Sequence, residues 1–417
     1  VNRRRAVALV VIVALLLVAL AALRWTMRAE TVGRFLLDMA GDAAGLEIEA
    51  AEFEYRLRGT PELVAHGVVA RVPGNPSPLL SAERVLLSVP WATLRARGAV
   101  LDVQRLELDA PVLDLPAFQR WWAQRPAGDG AAPAFVDGIG IVDGRIDADG
   151  WRLEALDVDL PRFAMDAPLR AHARGRYVAP SLRAPFDLHM AMTRVAARAG
   201  IGIAGTATPA TTGWRLPAWL RLSGHLDTRD GRIAVQRTTL ALRGRLQLAD
   251  ATHPLVTGIA GDLLLAGGGL RIEPLAVSLR GQGLLPQLRA GGNLVLHDGL
   301  ALALDGSIDE WPAAWPLLPP PLDRVEGPTP FALGYDGATD LSAPLALRLA
   351  RADARFEGRV RLDAIGGWLD QLDAGTPLPP VTGTLHAPAL EIPGATLHGV
   401  EIRIHDEPVD DDRARDD

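Results

Sequence analysis

Cysteine and lysine are both missing from this 417-residue chain. Without cysteine there is no disulfide framework, thiol nucleophile or thiolate zinc site, and without lysine no Schiff base and no phosphate-binding P-loop. Aromatic residues are scarce at 5%, so the 48% of hydrophobic residues is carried by Leu, Val, Ala and Ile. That apolar content excludes disorder for most of the chain. Positive charge is in deficit as well: 43 basic residues against 50 acidic ones leave a formal charge of -7, which is not the balance of a nucleic-acid binder.

Catalytic and metal motifs are equally sparse. The nine His residues form no H-E-x-x-H, and there is no G-x-S-x-G. His398 and His405 stand seven apart and are expected in neighbouring parts of a strand pair. Gly138-Ile139-Gly140 does not continue into a dinucleotide fingerprint and reads as strand. Asp143, Asp147 and Asp149 before Gly150 lack the spacing and terminal Glu of a calcium loop, so Asp149-Gly150 reads as a hairpin turn. The reading is therefore of a protein that is not an enzyme, with no cofactor, metal or catalytic residue assigned.

What the chain does have begins at its N-terminus. Arg3, Arg4 and Arg5 precede an uninterrupted apolar run from Ala6 to Leu23, followed by Arg24 and Trp25. As a helix this run spans about 27 Å, close to the ~30 Å of a bilayer core. The basic cluster favours a cytoplasmic N-terminus, and Arg24 with Trp25 suits the opposite interface. The expectation is a single-pass anchor over residues 1–28; the alternative is a cleaved signal peptide, since Ala19-Leu20-Ala21 has the form of a cleavage site. Residues 30–43 follow with Val32, Phe35, Leu36 and Met39 at helical spacing.

From there the dominant signal is period two. Leu46 and Ile48, then after a one-residue slip Phe53, Tyr55 and Leu57, share one face of a strand, and the slip reads as a bulge. Similar segments recur, among them Leu63 to Val72, Leu79 to Val89, Trp151 to Leu160, Arg232 to Leu242 and Thr396 to Ile404. The 42 Gly and 32 Pro between them punctuate an antiparallel meander rather than alternating βαβ units. Short helices are expected at Trp91 to Arg95 and Pro116 to Ala123, the latter carrying Phe118, Trp121 and Trp122. Two stretches ending at Val325-Glu326-Gly327 and Val381-Thr382-Gly383 read as a weak internal repeat. The expected organisation is an N-terminal β module at 29–125, a linker at 126–134, a repeating β body at 135–405 and an acidic tail at 406–417.

The segments "GLEIEAAEFEYRLRGTPELVAHGVVARVP", "LLSAERVLLSVPWATLRARGAVLDVQRLELDAPVLDL", "VDGIGIVDGRIDADGWRLEALDVDL" and "LPPVTGTLHAPALEIPGATLHGVEIRIHDEP", behind an anchor and a short helix, resemble the AsmA-like family of bacterial envelope proteins. The resemblance implies a mostly β protein: an elongated, curved, largely antiparallel sheet with a few short helices, held in the bacterial inner membrane with its bulk in the periplasm. It implies that phospholipid acyl chains lie in a hydrophobic β-groove, and a role in lipid transport or outer-membrane homeostasis, with envelope proteins as further partners. Leu46, Ile48, Phe53, Tyr55 and Leu57 are the lipid-groove candidates, and Arg3, Arg4, Arg5, Arg24 and Trp25 the membrane-interface candidates. The alternative is a non-catalytic periplasmic scaffold or assembly factor whose apolar faces close on one another in a sandwich.

Overall fold

A computed structural model describes residues 34, 37–38, 41 and 45–405, except 57–58, 96–101, 125–133, 230–231, 249–250, 267–268, 313, 316–319, 321, 340–341, 362–379 and 393–394. The expected anchor, with Arg3, Arg4, Arg5, Arg24 and Trp25, lies outside these residues, as do Leu57, most of 30–43, the greater part of the 126–134 linker, the second copy of the repeat before Pro380 and the acidic tail. Among the described residues no helix is long and apolar enough to cross a membrane.

The chain divides into two compact units, residues 1–180 with 185–187 and residues 181–184 with 188–417. The first contains strands β1 (Glu47–Glu49), β2 (Glu52–Arg56), β3 (Glu62–Arg71), β4 (Pro78–Ser88), β5 (Asp102–Val103), β6 (Arg105–Asp109), β7 (Val112–Asp114), β8 (Ala134–Phe135), β9 (Ile139–Ala148), β10 (Trp151–Leu160) and β11 (Leu169–Val178), with helices α1 (Trp91–Arg95) and α2 (Leu115–Gln124). Strand β12 (Arg183–Met192) is divided between the units. The second contains β13 (Arg198–Ala207), β14 (Trp214–Arg215), β15 (Ala218–Asp227), β16 (Ile233–Leu248), β17 (Ala251–Ala266), β18 (Gly269–Gly281), β19 (Gln287–Leu296), β20 (Leu300–Glu310), β21 (Thr329–Gly337), β22 (Leu345–Arg351), β23 (Ala354–Val360), β24 (Val381–Ile392) and β25 (Ala395–Ile404), plus a 3-10 turn at Leu322–Arg324.

The mostly β, largely antiparallel character expected from the sequence is what the chain adopts. Both expected helices form, α2 starting where Asp114 Oδ1 accepts the Ala117 N–H at 2.8 Å and so satisfies one orphan donor of the first turn. Among the longer strands, β11, β12 and β13 were not expected: in β11 and β13 Ala, Arg and Gly stand where Leu and Val mark the others, while β12 alternates regularly with Phe186, Leu188, Met190 and Met192 on its half-buried side. The segments at Arg232 to Leu242 and Leu246 to Leu248 merge into the single 16-residue β16. Pairing departs from antiparallel at β9, which runs parallel to β6 and β7 with α2 in the connection that such a crossover needs, and at the short β5–β8 pair, also parallel, which forms a separate two-stranded sheet. Asp149-Gly150 is the two-residue turn between β9 and β10, Gly150 taking a φ of +79°.

The slip after Ile48 is not a bulge of one strand. Register is unbroken, Ile48 facing Ala70 and Phe53 facing Ala65, so β1–β2 and β3 change face at the same level. Buried Leu63 and Ala65 give way to buried Val68 and Ala70 across Gly67, whose φ of +59° a Cβ would strain. True bulges occur elsewhere, at Asp143 (φ +52°) and Ala155 (φ +47°) between β9 and β10, and at Arg237 (φ +51°) between β15, β16 and β17. At two of them an Asp side chain takes the amide that the ladder cannot: Asp157 Oδ1 accepts the Asp143 N–H at 2.9 Å, and Asp262 Oδ1 accepts the Arg237 N–H at 2.7 Å.

Candidate functional site

Residues directly opposite in a ladder point to the same side of the sheet, so register alone traces each face across many strands. In the first unit, Phe53 opens a row that continues through Ala65, Val85, Leu108, Ile141, Val158 and Ala173. Tyr55 opens a second through Leu63, Leu87, Leu106, Ile139 and Leu160. Ile48 opens a third through Ala70, Leu80, Leu113, Ile146, Leu153 and Tyr177. Ile48, Phe53 and Tyr55 thus lie on one apolar face, each half-buried, while Glu47, Glu49, Glu52 and Glu54 occupy the alternate positions; Leu46, also half-buried, precedes β1. Sequence reasoning found the start of these rows and missed their extent, which depends on pairings between distant strands.

The second unit carries a longer version of the same arrangement. One row runs Ile203, Leu222, Leu240, Ile259, Val277, Ala290, Gly306, Phe331, Leu349, Phe356, Leu385 and Ile402. A parallel row runs Leu226, Val235, Leu263, Ile272, Leu294, Leu302 and Tyr335. Between them lie Leu275, Leu304, Leu333 and Leu347. Most of these side chains are half-buried rather than buried. Strand contacts in this unit are with ladder neighbours, and no described sheet or helix packs across the rows. The exception is local: Leu322 of the 3-10 turn packs with Ala354, Ala387 and Leu390 in a small buried cluster. Ten of the 22 buried hydrophobic residues in the described chain are alanines, as fits a sheet without a second apolar layer.

The opposite face is polar and partly cationic. Arg221, Ala241, Gly258, Ser278 and Arg289 form one row of it, with Ser223, Thr239, Ala260 and Ala276 beside them. These residues line a hollow of about 660 Å3 floored by small side chains. Asp309 binds the Arg289 guanidinium at 3.0 and 3.1 Å, which holds its carboxyl below the usual carboxylate range. Sequence reasoning did not single out this hollow.

Several residues weighed for other roles are placed plainly. Trp122 is 61% exposed on α2 while Ala117 is buried, and Phe118, Trp121 and Trp122 form one aromatic cluster with centroids 5.5 to 6.0 Å apart. His398 lies in β25 and His405 follows its end, so the two belong to one strand and not to a pair. His172, unremarked in the sequence, has its Nε2 2.7 Å from Asp187 Oδ1 within the first unit. No family model, curated protein or solved structure matches the chain.

Proposed function

We propose that this protein is an inner-membrane-anchored envelope protein of the AsmA-like kind, which binds phospholipid acyl chains along its apolar sheet face and so contributes to lipid transport or outer-membrane homeostasis. The observation that carries the reading is the continuous apolar face of the second unit, over which no described sheet or helix packs. Such a face must be kept from water by something. Acyl chains suit it because they ask for no directional contact, only for length and continuity. A 16-carbon chain laid with half its surface on the rows gains roughly 6 kcal/mol at ~0.8 kcal/mol per buried CH2. The work is binding and guidance, and no step of it needs a catalytic group.

The test is lipid extraction and native mass spectrometry on the full chain purified in mild detergent, compared with Leu240→Asp and Ile259→Asp. Both side chains stand in the middle of the long apolar row. Wild type is expected to carry phospholipid that both variants lose, with unchanged circular dichroism. Equal lipid in wild type and variants, or none in either, rejects the reading in favour of a non-catalytic scaffold, which predicts a stable protein partner instead.

A further inference from the structure

On the polar face of the second unit a second hollow, of about 460 Å3, gathers three arginines and a histidine from four separate chain segments. Arg194 comes from the turn after β12, Arg198 from β13, His225 from β15 and Arg237 from the bulge in β16. We propose that this hollow is a binding site for a phosphate-bearing ligand, the phosphate held between the Arg194, Arg198 and Arg237 guanidiniums.

Charge balance is the first argument. The one carboxylate in the lining, Asp227, is already engaged by an arginine outside it: Arg229 grips both its oxygens, at 2.9 and 2.6 Å, and Arg198 reaches it only through Nε at 3.3 Å. The Arg237 guanidinium has no acid partner among the described residues, and Arg194 donates through Nε to the Arg198 carbonyl at 3.0 Å. Positive charge therefore exceeds negative within the hollow, in a chain whose formal charge is -7.

The backbone supplies the second argument. Arg237 sits at φ +51°, with its N–H held by Asp262 Oδ1 at 2.7 Å. Thr193 and Gly200 fix the facing turn through a reciprocal pair of contacts, the Thr193 N–H to the Gly200 carbonyl and the Gly200 N–H to Thr193 Oγ1, both at 2.9 Å. The cations thus stand on a prepared frame, so less is lost in ordering them around a ligand.

The ligand's chemistry follows from the lining. Guanidinium forks match tetrahedral oxyanions, and a phosphomonoester places up to two charges on one centre where converging arginines can share them. No Phe, Tyr or Trp lines the hollow to stack a nucleobase. The site lies opposite the leucine rows and does not depend on what those rows bind.

The experiment is isothermal titration of the full chain in non-ionic detergent with glycerol 3-phosphate, and separately with dihexanoyl phosphatidic acid. Saturable one-to-one binding is expected, weakened about tenfold by Arg237→Gln and by Arg194→Gln, each the loss of one charge-assisted contact. Asp227→Asn, which removes the competing carboxylate, is expected to tighten binding several-fold. Leu240→Asp, on the other face, is expected to leave glycerol 3-phosphate binding unchanged, which separates this site from the acyl-chain reading. Tighter binding of the phosphatidic acid that falls with Arg237→Gln identifies a lipid headgroup; comparable binding of the two identifies a soluble phosphomonoester. No saturable binding of either probe, or binding that ignores both arginine substitutions, overturns the proposal.

Discussion

Asp157→Ala tests how the sheet tolerates its bulges. Asp157 Oδ1 accepts the Asp143 N–H at 2.9 Å, and Oδ2 accepts from Arg174 Nε at 2.8 Å. A hydrogen bond to a charged group contributes about 1.5–3 kcal/mol, but Asp143 is exposed and water replaces part of it, so the low end applies. Arg174 is 64% exposed, which limits its ion pair to roughly 0.5 kcal/mol. Together the substitution should cost the first unit about 2 kcal/mol at pH 7. Asp157→Asn keeps an acceptor and should cost about 1 kcal/mol or less. The sign with pH follows from the carboxyl's lowered pKa, caused first by the Asp143 N–H and then by Arg174. Its contribution is complete above the unfolded-state pKa of about 3.9 and is lost as pH falls through the lower native value. Hydrogen exchange of the β10 and β11 amides in a urea series reports on this unit, where Trp151 stacks on Tyr177 at 5.6 Å across the two strands. The gap between wild type and Asp157→Ala should shrink from pH 7 to pH 3. A gap under about 0.3 kcal/mol at pH 7, or one that does not narrow in acid, refutes the assignment.

Two further predictions concern the second unit. Arg351 donates Nε to the Leu322 carbonyl at 2.8 Å, Nη1 to Thr329 Oγ1 and Nη2 to the Val325 carbonyl, both at 2.5 Å. Arg351→Met should therefore lower stability by about 2–4 kcal/mol, with hydrogen exchange speeding first around 322–329, and Arg351→Lys should recover only part of the loss. At Gly292 an added Cβ would lie 1.8 Å from the Ala303 carbonyl oxygen on the neighbouring strand. Gly292→Ala should cost about 1–3 kcal/mol in denaturant melts, from the strand displacement this overlap forces.

Period two revealed the strands where Leu and Val alternate with charge, as in β3, β4 and β10. It failed at β11 and β13, whose inward positions are filled largely by Ala and Gly, residues that carry little hydropathy contrast, whereas β12 alternates regularly through half-buried Phe186, Leu188, Met190 and Met192 and was legible. The parallel β6–β9 pairing was also illegible, since periodicity fixes which residues share a face but not which strand lies alongside. For the candidate sites the same limit applies with more force. Phe53 and Tyr55 could be read as apolar and co-facial from their own segment. The cationic hollow joins Arg194, Arg198, His225 and Arg237 through ladder pairings and a bulge, and no local pattern ties them together.

The bulges also explain why the apolar face could be underestimated from sequence. In β16 the face changes parity between Val235 and Thr238, and in β18 between Ile272 and Leu275, so strict alternation appears to break in both. In three dimensions the extra residues absorb the change, and Val235, Leu263 and Ile272 rejoin one row. Placing Arg237 in a left-handed conformation costs free energy, and so does dedicating a carboxylate to its amide. A sheet needing only to be stable could dispense with the bulge and keep the ladder regular. What the bulge preserves is an unbroken line of apolar side chains on a face that no described element covers. Continuity along many strands is of little use to a ligand that docks at one point, and it is the property an extended hydrocarbon chain requires. The continuity of the row is therefore what supports the acyl-chain reading: on that reading, a charge placed anywhere in the row should interrupt occupancy, whereas for a point-docking partner only residues beneath the partner would matter.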